Sequence, residues 1–100
     1  MTLTIQIKED TVTGKLSGRL DTVAAVQFAK DMEPLIENAD KKIILDCNDL
    51  EFISSSGLRL FLTLRKATTE KGGKVRIIGI NKDIRQVFAI TGFSSLFEFE

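Results

Sequence analysis

A chain of 100 residues with 43% apolar side chains, and with 14 Lys or Arg against 14 Asp or Glu, can build one core and carries no net charge. With no His, Trp or Tyr and a single Cys, it cannot assemble a zinc cluster, a histidine-based triad or an internal disulfide, and no metal or cofactor is expected. No secretory leader pattern opens it and no apolar run reaches the roughly 18 residues that span a bilayer, so a soluble protein of the reducing cytoplasm is expected.

Leu3, Ile5 and Ile7 alternate with Thr4, Gln6 and Lys8, the period of a half-buried strand. Val12 to Leu16 predicts a second strand, short or bulged, paired to the first through a tight turn near Glu9 and Asp10. Asp21 or Thr22 then caps a helix in which Ala25, Phe28, Ala29, Met32, Leu35, Ile36 and Ala39 recur at 3 and 4 spacing. Pro34 falls inside that pattern and predicts a kink or break. Ile43-Ile44-Leu45 and residues 74 to 80 read as strands buried on both faces of a parallel sheet. Between them a helix runs roughly from Ser56 to Lys71 and stops at Gly72-Gly73. Asn81 caps a further helix carrying Ile84, Val87, Phe88 and Thr91, which Gly92 closes, and Leu96 to Phe99 reads as a last edge strand.

This order predicts an α/β fold: a mixed, largely parallel sheet of four to five strands with an antiparallel N-terminal hairpin, flanked by three to four helices. In such sheets the working surface lies beyond the carboxyl ends of the parallel strands. Two loops are expected there, Gly18-Arg19-Leu20-Asp21 and Asp49 through Gly57.

The second loop contains Ser54, Ser55 and Ser56, followed by Gly57 and the apolar Leu58, Leu60, Phe61, Leu62 and Leu64. One serine is accounted for as an N-cap, worth ~1 kcal/mol over Ala. Three are not, and a hydroxyl placed against free helix amides suits a phosphate acceptor. Nucleophilic catalysis by Ser55 or Asp21 is the weaker reading, because no histidine is available as a base. No GxGxxG or GxxxxGK[ST] is present. Charge is uneven: residues 1–50 hold six basic and nine acidic side chains, residues 51–100 eight and five. The basic ones between Arg59 and Arg85 spread over two helices and a strand, so they read as solvated surface and no direct nucleic-acid partner is expected.

The run Ile44-Leu45-Asp46 through Leu50-Glu51-Phe52-Ile53-Ser54-Ser55-Ser56-Gly57-Leu58, with Gly72-Gly73, Ile84 to Phe93, and Leu96-Phe97, closely resembles the STAS family of anti-sigma factor antagonists. Gly18-Arg19-Leu20-Asp21 resembles that family's second motif. The resemblance spans nearly the whole chain, so residues 1–100 read as a single STAS-like domain. It implies a cytoplasmic bacterial partner switch rather than an enzyme. The unphosphorylated form would bind an anti-sigma factor that is itself a serine kinase, releasing a sigma factor. Phosphorylation would end the binding, and a PP2C-type phosphatase would reset it.

In the family pattern an acidic residue precedes two serines and a glycine, and the first serine takes the phosphate. Aligned on Gly57, that acceptor is Ser55, and Ser56 matches the second serine. Ser54 stands in the acidic position, which removes a charge beside the acceptor and makes Ser54 the alternative acceptor. Asp21, Ser54, Ser56, Gly57 and Leu58 are the implied partner-binding residues, with no membrane insertion. A second implied role is that of a regulatory subunit in a membrane transporter complex, with the serines serving as caps and contacts and no phosphoryl switching.

Overall fold

The computed structural model describes residues 1–100. Strands β1 (Thr2–Lys8) and β2 (Thr11–Leu20) form an antiparallel hairpin in which Lys8 pairs with Thr11 across a two-residue turn. Glu9 in that turn takes φ 57, the one non-glycine residue in the left-handed region. Helices α1 (Thr22–Asp31) and α2 (Glu33–Glu37) follow, then β3 (Lys42–Ile53), α3 (Ser55–Lys71), β4 (Lys74–Ile78), α4 (Lys82–Ile90), a short 3-10 turn at Ser94–Leu96 and β5 (Glu98–Phe99). The sheet order is β1-β2-β3-β4-β5, with every pair after the hairpin parallel. The expected mixed sheet and antiparallel start are both present.

Several local expectations change. The second strand is not short: its ten residues carry Gly18, Arg19 and Leu20 inside the sheet rather than in a loop. It reaches that length by two register shifts against β3, between Lys15 and Ser17 and between Gly18 and Arg19, with Gly18 at φ 95 absorbing the second. Likewise β3 runs twelve residues, so Asp49 to Ile53 is strand and the expected second loop shrinks to Ser54. The break expected near Pro34 is present: the long first helix stops at Met32, and Pro34 lies in the first turn of α2, where its missing amide costs nothing. The buried stripe nonetheless continues through Phe28, Met32, Leu35 and Ala39, while Ala29 is exposed.

The sheet is covered on one face only, which corrects the reading of β3 and β4 as buried on both. Val12, Leu16, Leu20, Ile43, Leu45, Cys47, Val75 and Ile77 point into one core with Phe28, Phe61, Ile84 and Phe88 from the helices. Phe28, Phe61 and Phe88 form a row at centroid spacings of 6.2 and 6.1 Å, which locks α1, α3 and α4 to each other. Ile44 and Ile78 stay half-exposed on the other face. That face is polar and pairs its own charges, Lys15 with Asp49 at 3.3 Å and Arg76 with Glu98 and Glu100 at 3.5 and 3.2 Å. Such exposed pairs add little stability.

Candidate functional site

Parallel strands β2 and β3 end side by side, with Leu20 opposite Ile53 in register. Their successors Asp21 and Ser54 are therefore neighbours, and each caps a helix. Asp21 Oδ1 accepts from Ala24 N at 2.8 Å, and Ser54 Oγ accepts from Gly57 N at 3.1 Å. The Ser54 amide donates to Leu20 O at 2.8 Å, which ties the two strand ends together. Two helices thus start from one edge of the sheet with their positive ends adjacent.

The three serines separate into distinct environments. Ser54 is half-buried and its hydroxyl is occupied by the cap. Ser55, first residue of α3, is exposed and its hydroxyl makes no bond to the protein; Ser56 is half-buried beside it. The amides of Ser55 and Ser56 have no backbone acceptor, as the first turn of a helix requires. The first turn of α3 also contains no acidic residue to offset its dipole.

Gly57 sets how closely this turn approaches the sheet. A Cβ there would fall 2.6 Å from Leu20 Cγ and 2.8 Å from Leu20 Cδ2, so only glycine lets α3 begin directly over the strand ends. Leu58 follows into the core at 2% exposure. Of the residues expected to meet a partner, Asp21, Ser54 and Ser56 thus reach the surface, whereas Gly57 and the Leu58 side chain hold α3 in place from beneath.

The surface beside the serines includes residues that sequence periodicity placed elsewhere. A shallow groove between α1 and α3 is lined by Val26, Ala29 and Leu60 with Thr22, Ser56 and Arg59. Val23 and Val26 are 83% and 66% exposed, large apolar side chains turned away from the core. Their signal was present as apolar residues out of step with the Ala25, Phe28, Met32 stripe.

Burial pushes the Cys47 thiol up to about 12, with the Asp46 charge adding to it, so the sulfur stays protonated in the core. No three acidic or cysteine side chains converge as a metal site, and no helix is long and apolar enough to cross a membrane.

The fold and site define an α/β module whose exposed serine opens a helix beside an apolar groove. The family model of the STAS domain matches residues 2–100, and the chain belongs to that family. Among relatives, BtrV of Bordetella bronchiseptica, provisionally named an anti-sigma factor antagonist, is 28% identical over 97 residues, covering 97% of this chain and 84% of BtrV. The anti-sigma-B factor antagonist of Staphylococcus aureus is 26% identical over 82 residues, covering 82% of this chain and 76% of that protein. Among solved structures, the anti-sigma factor antagonist SpoIIAA in its unphosphorylated form matches with a TM-score of 0.75 at 22% identity, over 99% of this chain and 87% of SpoIIAA. The phosphorylated form of SpoIIAA, a Bacillus cell fate determinant, matches with 0.74 at 23% identity, over 99% and 91%. At such identities the structural likeness fixes the fold.

Proposed function

We propose that the 100 residues act as one anti-sigma factor antagonist unit in the bacterial cytoplasm, a binding module switched by phosphate on Ser55. In the unmodified form Asp21, Ser54, Ser56 and the adjoining groove hold an anti-sigma factor that is a serine kinase, so that a sigma factor is freed for transcription. The kinase then transfers the γ-phosphoryl of ATP to Ser55 Oγ: the bond to ADP breaks, a new P–O bond forms and the hydroxyl proton leaves. A PP2C-type phosphatase restores the hydroxyl by hydrolysis.

The observation that carries this reading is the division of labour between the serines. Ser54 spends its hydroxyl on Gly57 N, while Ser55 presents a free one to solvent. The family's usual acidic residue at position 54 would also be a good N-cap, so the change to Ser keeps the cap and drops only the charge. This argues for Ser55 over Ser54 as acceptor. The chain supplies no base for the transfer and needs none when the partner is the kinase. A phosphate on an exposed hydroxyl at a helix start can act by local charge without refolding. A phosphate adds about −1.5 to −2 charges where the partner surface must close, bringing repulsion and desolvation.

A titration of the anti-sigma kinase with wild type and Ser55→Asp tests the reading. Affinity for Ser55→Asp should fall at least about tenfold with an unchanged melting temperature. Equal affinities would exclude a charge switch at this site.

A further inference from the structure

We propose that Arg59 pairs with the phosphate on Ser55, so that modification both adds negative charge at the head of α3 and takes up the free positive charge of the neighbouring groove. The inference rests on the reading of Ser55 as acceptor. Ser55 and Arg59 stand four residues apart on α3 and both are exposed, so their side chains project from one face a single turn apart. The anionic group lies N-terminal to the cation, the favourable order for such a pair. A guanidinium can meet two phosphate oxygens at once, which a lone ammonium cannot.

Arg59 is also the arginine of the basic half that has nothing else to do. Arg65 Nε donates to Leu96 O at 2.6 Å, Arg76 pairs with Glu98 and Glu100, and Arg85 lies over the Phe99 ring at 4.9 Å. The Arg59 guanidinium has no carboxylate, carbonyl or ring partner, and it lines the groove together with Ser56. The opposing wall brings no competing charge, since the first seven residues of α1, Thr22 to Phe28, are uncharged. Asp21, the carboxylate that opens α1, accepts from Ala24 N at 2.8 Å and makes no ion pair with Arg59. Arg19, Glu51 and Asp83 gather in a separate depression beyond Ile53.

The test uses the 100-residue chain with phosphoserine installed at position 55 during translation, so it stands whether or not a kinase chooses that residue. Failure of the acceptor assignment would appear instead as kinase labelling elsewhere. The phosphate is titrated by 31P NMR in wild type, Arg59→Gln and Lys66→Gln, with circular dichroism confirming the fold of each. Removing an exposed pair of this spacing should lower the pairing's hold on the charged form and so raise the apparent second pKa of the phosphate by about 0.2 to 0.4 unit in Arg59→Gln. Lys66, eleven residues along the helix and roughly 16 Å away, should leave it unchanged. An unshifted titration in Arg59→Gln, or an equal shift in Lys66→Gln, would overturn the pairing.

Discussion

Helices α3 and α4 begin alike and end up with different capacities. Each follows a parallel strand, and each is capped by a polar side chain that accepts from the third amide of its helix: Ser54 from Gly57 N at 3.1 Å, Asn81 from Ile84 N at 2.8 Å. Asn81 also reaches back to Leu50 O at 3.4 Å, and Asp83 already places a carboxylate in the first turn of α4. Asp83 therefore offsets the positive end of α4 from within. Both helices keep two free first-turn amides, but the positive end of α3 faces no acid and adds an exposed hydroxyl. The cap is a structural device common to both; what separates them is the charge and exposure around it, on which the proposed regulatory role of α3 rests.

The strongest way to break this contrast is to push α3 off the sheet. Gly57→Ala places a methyl group inside van der Waals contact of Leu20, and should cost about 2 kcal/mol despite the gain in helix propensity, read from chemical denaturation. A wild-type-like midpoint would show that the close approach is not needed.

Cys47 sharpens the comparison from the other side, as a nucleophilic atom of the strand before α3 that faces the core. Its thiol titrates near 9.0 when free and about 12 when folded. Below pH 9 both states hold the proton; above it the unfolded chain releases it first, so stability falls as pH rises from 9 toward 12. The loss should reach about 1.4 kcal/mol at pH 10. Cys47→Ala, though less stable at neutral pH, should show a shallower decline over the same window, and an identical slope would remove the thiol from the account.

Smaller effects separate the caps from the acceptor. Ser54→Ala and Asn81→Ala should each lose about 1 kcal/mol. Ser55→Ala, which breaks no hydrogen bond, should change stability by under about 0.5 kcal/mol. A loss in Ser55→Ala matching that in Ser54→Ala would erase the distinction between the two serines.

Much of the scaffold was legible because its signals are local. The hairpin turn at Glu9-Asp10, the cap at Asn81, the left-handed stop at Gly72 and the edge strand near Phe99 each rest on residues close in sequence. The lengths of β2 and β3 were not, because Asp46, Asn48, Asp49 and Glu51 look like a loop until the sheet is known to have an open face. In the sheet Lys15 pairs with Asp46 and its ammonium reaches Asp49, and the register shifts turn the neighbours Asn48 and Asp49, like Glu51 and Phe52, both outward. The serines were visible as a cluster, but their sequence does not say which one caps. Only the 3.1 Å contact from Gly57 N to Ser54 divides the roles. Val26 and Arg59 came to line one groove through the placement of α1 beside α3, a long-range outcome that the periodicity of either helix does not express.

The central claim is tested most directly by mapping phosphate after incubation with the anti-sigma kinase and ATP. Wild type and Ser54→Ala should both carry it on Ser55, and Ser55→Ala should carry none. Phosphate that persists in Ser55→Ala at the wild-type level, on Ser54, Ser56 or any other residue, would contradict the account.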